Sequence, residues 1–530
     1  MKNLLFTYIL LLLALSSCSF TPDSEKLISA DEMKRVTSTL SSDEFMGRKP
    51  FTLGENLTIA FLAQELQQIG FEPPFEGSYF QAVPMIETTS KVEGPVTISV
   101  KGEKLSFNAP DEVAVNSPNP QESISISNSK MVFAGFGIDS PEDKWDDFKG
   151  IDLKGKTLVV LINDPGLYSS DTTLFRGKEM TIFGRWTYKF EEAARKGADA
   201  ILIIHESLGA GYEFNVPRNS SISARLFIDD KGATKRCKAT GWLSEASADK
   251  IFSKLGYNVK ELRMAATKRD FMPFEMDAAF SVNIKNKISQ NISTNVAGIM
   301  KGSKRPDEAI VITAHWDHFG IGEIQNGDSV YNGAVDNGTT MAWAFEIGRA
   351  FSKAGKKPER SIILLFPTAE EQGLIGSEYY TEHPIIPMEK TIACLNNDMM
   401  VPRGKMNDVT MIGYGYSSLD SLYEIVAKKQ GRYLLPDPNS HTGLFFRSDH
   451  FPFFKKGVPS LWAFGCFDSR EHGKDWAVES WDNFIKNVYH TPADNYDSNW
   501  DWSGIAEDTR MAFDVAWILS KSKSKRPRLY

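Results

Sequence analysis

The chain has 530 residues, of which 42% are hydrophobic, 24% charged and 12% aromatic. That ordinary globular composition excludes disorder, collagen-like sequence and a polytopic membrane protein. A formal charge of −8 leaves no general attraction for phosphate backbones, so no nucleic-acid partner is expected. The four cysteines, at 18, 237, 394 and 466, are too dispersed for a disulfide framework or a CxxC metal site. Seven of the eight histidines follow residue 300, which is where histidine chemistry is to be sought.

Residues 1–17 read as an export signal: Lys2 supplies a positive start, and 4–15 is an apolar stretch too short to span a bilayer comfortably. It ends in Leu15-Ser16-Ser17-Cys18, which resembles a bacterial lipobox. The pattern implies cleavage before Cys18 and lipidation of its thiol, hence an exported, membrane-anchored protein at the periplasmic or cell surface. No other stretch approaches eighteen consecutive apolar residues, so the membrane is a partner only through this anchor. After a polar spacer, 27–68 reads mostly helical, with Leu57, Ala60, Phe61, Leu62 and Leu66 on a repeating apolar face and Gly70 as the stop. Residues 71–87 turn extended. From 96 to about 277, short apolar runs (131–133, 157–162, 200–204) alternate with turn residues, and one clear helix lies at 186–196. This predicts a separate β-rich domain with few helices.

From Ser293 the rhythm becomes strand, helix, strand. Strands are predicted at 309–313, 361–366, 391–395, 409–412 and 459–464, and helices at 339–353, 418–429 and 504–521. Such alternation predicts an α/β layered sheet.

Five short segments in that region carry candidate chemistry. Ala314-His315-Trp316-Asp317-His318 follows a strand; Gly333-Ala334-Val335-Asp336-Asn337-Gly338 opens a helix. Thr368-Ala369-Glu370-Glu371-Gln372-Gly373 and Asn396-Asn397-Asp398-Met399 follow two further strands, and Tyr489-His490-Thr491-Pro492-Ala493-Asp494 closes the set. Ligands in open α/β sheets gather beyond the carboxyl ends of strands. Carboxylates and imidazoles converging there are costly without a cation. Oxygen and nitrogen donors without thiolate suit zinc, with manganese or cobalt as substitutes.

In this order the segments resemble the co-catalytic dizinc exopeptidases of the bacterial leucyl aminopeptidase and aminopeptidase Y type. The resemblance is close over about 293–497 and extends to Ser42-Asp43-Glu44-Phe45-Met46-Gly47-Arg48. It implies a three-layer zinc-exopeptidase sheet flanked by helices and two Zn2+ per chain. His315 and Asp398 would hold one zinc, Glu371 and His490 the other, with Asp336 bridging. Glu370 would be the general base and Asp317 would orient His315. The substrates implied are peptides, cleaved at the N-terminus.

Two further stretches, from Val132-Phe133-Ala134-Gly135 through Trp145-Asp146-Asp147-Phe148, and Gly184-Arg185-Trp186 through Gly197-Ala198-Asp199-Ala200, resemble a protease-associated (PA) domain inserted in the peptidase. The expected organisation is a signal at 1–17, an N-terminal peptidase segment at 18–108, the β-rich PA-like insert at 109–274 and the zinc peptidase at 275–530. Arg447 and His450 are candidate substrate-binding residues; His318, His383 and His472 are expected to be structural or at the surface. No HExxH or GxSxG motif occurs. Two alternatives share the fold. One is a glutamate-carboxypeptidase-like exopeptidase, which needs basic residues for the substrate α-carboxylate; Arg403 or Arg447 could serve, and the sequence shows no arginine cluster. The other is a non-catalytic receptor-like binding protein.

Overall fold

The computed structural model describes residues 22–530; the export signal and Cys18 lie outside the described residues. A single 16-stranded mixed sheet runs through the molecule. From one edge its order is Tyr433–Pro436, Asp408–Ile412, Ser460–Phe464, Thr391–Asn396, Arg305–Thr313 and Arg360–Phe366, then the long strand Phe274–Met300. The strands Ser460–Phe464, Thr391–Asn396, Arg305–Thr313 and Arg360–Phe366 run parallel. Strands covered on both faces read as continuous apolar runs, which is why they were visible in the sequence.

Side chains along each strand alternate between two cores, as a period of two requires. Ile310, Ile312, Ile362 and Leu364 face Trp343, Phe351 and Phe513, under the helices Thr340–Lys353 and Ser503–Ser520. Val311, Ile363 and Leu365 face Tyr380 and Phe453, under Ile375–Glu382 and His450–Lys455. The N-terminal helix Ala30–Leu40 joins the first core through Met33, Val36 and Leu40. The result is the three-layer α/β architecture expected. Not foreseen were the hairpin Gly320–Gln325 with Asp328–Tyr331, whose first strand is largely exposed and second half-buried, and the helix Gly473–Asn487, which buries only three residues. Neither buries enough to leave a strong pattern.

The insert differs from expectation. Its strands Ser123–Phe133, Thr157–Leu161, Ala200–Ile204 and Ala239–Leu243 are parallel, and helices cover both faces. Val159, Leu161, Leu202 and Ile204 pack against Glu245–Leu255 and Val259–Ala266, whereas Leu158, Val160, Ile201 and Ile203 pack against Trp186–Arg195. The β-rich domain is therefore α/β; short strands buried on both faces look alike in sandwiches and in doubly wound sheets. Val96, Ile98, Val100 and Phe107 belong to its core, so it begins ahead of residue 109. Its other expected boundary, near 275, falls inside Phe274–Met300, which pairs with Ser123–Phe133 at one end and Arg360–Phe366 at the other.

The insert is also clamped to the C-terminal layer. Arg176 donates to the carbonyls of Tyr414 and Gly415 and lies 4.2 Å over the Tyr416 ring. Met180 N donates to Ser440 O at 3.2 Å, and its side chain joins the first core. Cys237, Cys394 and Cys466 are buried free thiols. Among the described residues no helix is long and apolar enough to cross a membrane.

Candidate metal centre

Parallel strands carry their carboxyl ends to one rim. His315 follows Arg305–Thr313, Glu370 and Glu371 follow Arg360–Phe366, and Asp398 follows Thr391–Asn396. Asp336 arrives on the loop before Thr340–Lys353, and His490 on the turn after Gly473–Asn487. Ala369, Met399 and His490 hold left-handed φ values of 52°, 49° and 59°. Non-glycine residues keep such conformations only where the surroundings over-determine them, and such residues cluster at functional sites.

The Asp336 carboxylate lies between two groups. Its Oδ1 is 3.2 Å from His315 Nε2, which is 3.4 Å from Asp398 Oδ1. Its Oδ2 is 3.1 Å from His490 Nε2, which is 3.2 Å from Glu371 Oε2. Ligand atoms of His315, Asp336 and Glu371 fall within 4.8 Å of one another, as do those of His315, Glu370 and Asp398. A tetrahedral zinc site with ~2.05 Å bonds has edges of ~3.3 Å, and the four separations match it. Asp336 Oδ1 and Asp398 Oδ1 are buried without a hydrogen-bond partner. Buried carboxylate oxygens are otherwise paired, so this donor set fits two cations sharing Asp336.

The electrostatics point the same way. Burial pushes the Glu370 carboxyl well above its usual range, and repulsion from Asp398 and Glu371 adds to it. Burial also opposes the charge of Asp336, yet His315 and His490 hold it well below its usual range. Glu371 is held at about 2 by His490 and His318, against burial and the charge of Asp336.

Neighbouring side chains fix the ligand-bearing loops. The Asp317 carboxylate accepts from Glu370 N at 3.0 Å and Glu371 N at 3.4 Å, whereas His315 Nδ1 is closer to the Asp317 backbone oxygen (3.1 Å) than to its carboxylate (3.8 Å). Asp317 therefore positions the glutamate turn with its side chain and the imidazole with its backbone. Four residues had no role in the sequence reading. His318, expected to be structural or at the surface, is buried with Nδ1 2.6 Å from Glu371 Oε1. Asp494 accepts from Val335 N and Asp336 N, each at 2.9 Å. Ser448 Oγ donates to Asp398 Oδ2 at 2.8 Å. Arg48, wholly buried, donates to the carbonyls of Leu40, Trp316, Asn332 and Gly333. These partners come from other parts of the chain or, like His318, match no pattern.

The two substrate candidates part company. His450 is fully buried, with Nδ1 3.3 Å from Asn396 Nδ2, and burial pushes its imidazole down to about 3. Arg447 turns toward the insert, 5.6 Å over the Tyr212 ring. Arg403 is used structurally, donating to the carbonyls of Ala477 and Cys466.

Residues 295–516 match the model of peptidase family M28. Aminopeptidase NAALADL1 of Mus musculus is 34% identical over 133 residues, 24% of this chain and 16% of that protein. Leupeptin-inactivating enzyme 1 of Streptomyces exfoliatus is 32% identical over 174 residues, 32% of this chain and 38% of that one. The chain thus matches well under half the length of these curated relatives. Among solved structures, an aminopeptidase from Aneurinibacillus sp. strain AM-1 superposes over 95% of both chains with 17% identity and a TM-score of 0.48.

Proposed function

We propose that this protein is a zinc-dependent aminopeptidase that releases N-terminal residues from peptides and holds two zinc ions. The observation that carries the reading is the Asp336 carboxylate shared between two imidazole–carboxylate groups at tetrahedral-edge separations. His315 and Asp398 would hold one ion, Glu371 and His490 the other, and Asp336 would contribute to both. Bound zinc supplies Lewis acidity to the scissile carbonyl and to the attacking water. Glu370, 3.8 Å from His315 Nε2, accepts a proton from that water and passes it to the leaving amine, a role worth about 10²–10⁴-fold in rate. Asp317 keeps the Glu370 backbone in place for that transfer.

In this reading the insert is of the PA type, and cleavage before Cys18 yields a lipoprotein anchored at the periplasmic or cell surface. A receptor-like protein on this fold would not need the complete donor set. A glutamate-carboxypeptidase-like activity is favoured by one observation, Arg185 and Arg225 over the Trp186 ring and Arg447 over the Tyr212 ring where insert and peptidase meet, and an N-blocked dipeptide separates the two: only the carboxypeptidase cleaves it. The primary test is hydrolysis of aminoacyl-p-nitroanilides by zinc-loaded protein. Turnover that disappears in Glu370→Ala is expected; absence of turnover, or turnover unchanged by that substitution, overturns the proposal.

A further inference from the structure

Four lysines from separate parts of the insert meet in one cleft. Lys130, Lys154, Lys156 and Lys238 line it with Ser129 and Asp199, and its volume is about 480 Å³, within the ~300–1,000 Å³ of small-molecule sites. It sits at the amino edge of the parallel strands: Lys156 precedes Thr157–Leu161, Asp199 precedes Ala200–Ile204, and Lys238 precedes Ala239–Leu243. The seam with the C-terminal layer lies at the opposite edge, where Asn163 Nδ2 donates to His441 O at 3.4 Å. At ~3.3 Å per residue, the length of these strands sets cleft and seam about 15 Å apart. The cleft therefore belongs to the insert alone and shares no residue with the candidate metal centre.

The strand Ser123–Phe133 is bent to make it. Alternate residues from Ser123 to Ser127 are exposed; then Asn128 takes a left-handed φ of 50°, Ser129 is buried and Lys130 is exposed. The parity has flipped, so Lys130 emerges on the face that carries Ser125 and Ser127 instead of entering the core. Pairing with Phe274–Met300 breaks register on both sides of Ser129 and Lys130. Bulges of this kind re-aim side chains and gather at functional sites. Ser129 Oγ accepts from Thr157 Oγ1 at 2.9 Å and donates to Gly155 O at 3.2 Å, which pins the floor.

The charge in the cleft is unbalanced. Lys238 pairs with Asp199 at 2.8 Å and Lys156 with Glu275, whereas among the described residues Lys130 and Lys154 form no ion pair. Lys130 reaches Glu275 only through its field, beyond ion-pair distance. Two ammonium groups are thus left over in a chain whose formal charge is −8. Like charges gathered at a cleft focus its potential and draw in anions. An ammonium is a compact donor suited to phosphate oxygens, and a phosphate monoester, with about two negative charges near pH 7, matches the two that are unpaired. A carboxylate would neutralise only one.

We propose that this cleft is a second ligand site, taking a phosphate monoester between Lys130 and Lys154. The ester is either a soluble one or the headgroup of an anionic lipid; both present the same doubly charged phosphate.

The test titrates the full chain with glycerol 3-phosphate by calorimetry, and with phosphatidylcholine vesicles with and without phosphatidic acid by co-sedimentation. Two variants accompany the parent: Lys130→Gln/Lys154→Gln in the cleft, and Lys523→Gln/Lys525→Gln as an equal change of charge elsewhere. All four side chains are exposed, and an unchanged thermal transition verifies that each variant folds. Loss of two charge-assisted hydrogen bonds predicts binding about 10–100-fold weaker in the cleft variant and no change in the other. Binding of glycerol 3-phosphate identifies a soluble ester, and binding confined to phosphatidic acid vesicles a headgroup. No binding of either probe by the parent, binding that survives the cleft variant, or equal weakening in both variants overturns the proposal. Peptide hydrolysis plays no part in the readout, so the site stands or falls independently of the exopeptidase reading.

Discussion

Replacing Arg48 should loosen the metal centre without touching a metal ligand. Its guanidinium group is wholly buried and ties together three chain segments: Leu40 O at the end of Ala30–Leu40, Trp316 O beside His315, and Asn332 O with Gly333 O ahead of Asp336. Arg48→Lys keeps the charge but cannot span that fork, so two or more buried carbonyls lose their donor. At about 1–3 kcal/mol for each orphaned buried group, partly offset by relaxation, the loss should be about 2–4 kcal/mol. Arg48→Met adds loss of the charge and should cost about 3–5 kcal/mol. Two measurements check this: urea unfolding of each variant, and zinc affinity by competition with a chromophoric chelator. Displaced loops predict affinity weaker by about 10–100-fold, the range seen when groups that orient ligands are removed. If Arg48→Lys has the parent's unfolding midpoint and the parent's zinc affinity, the clamp argument is wrong.

Other expectations follow from the same contacts. Asp336→Ala removes the shared carboxylate, so metal analysis should find both zinc ions lost, whereas Asp398→Ala should spare the ion held by Glu371 and His490. Zinc added to metal-depleted protein should raise the melting temperature, by a free energy of about 4 kcal/mol at a thousandfold excess over its dissociation constant; a shift equal in Asp336→Ala would contradict the assigned site. Gly376 lies where an added Cβ would come 2.4 Å from Thr368 O and 2.6 Å from Thr368 N, backbone atoms that cannot swing aside, so Gly376→Ala should destabilise the fold by about 1–3 kcal/mol in chemical denaturation. His205 is 3% exposed among Tyr212, Phe214 and Trp242, and burial depresses its pKa. The unfolded chain therefore takes up a proton below about 6.5 that the folded chain refuses, and stability falls as pH drops through that value and is flat above it. The slope is at most about 1.4 kcal/mol per pH unit; His205→Gln should lessen the pH dependence of the unfolding midpoint between pH 7 and 5, and an identical dependence would refute the assignment.

Much of the catalytic layer was legible because its physics is local. Strands such as Arg360–Phe366 are buried on both faces and therefore apolar from Ile362 to Phe366, and the helix Thr340–Lys353 packs nearly every residue, so each left a strong signal. The candidate metal ligands stood out because acids and imidazoles at strand ends are costly without a cation. The insert was harder: its short buried strands carry no mark of what covers them, and only tertiary packing revealed helices on both faces and a core that takes in Val96 to Phe107. The same holds for partners of the ligands. Nothing in the sequence joins Arg48 to Gly333, or Asp494 to Val335, because their contacts depend on where loops meet, not on spacing along the chain.

The arginine group shows the division most sharply. Sequence shows Arg185, Arg225 and Arg447 40 and 222 residues apart, and of the three only Arg447 stood out as a substrate candidate. The amino-acid order alone determined the layered α/β fold and the complement of metal donors, since both follow from burial patterns and residue chemistry within short segments. The fold alone decided which donors pair across Asp336 and which cations lack a partner, because separation in space and removal from water are set only once the insert has closed against the catalytic layer.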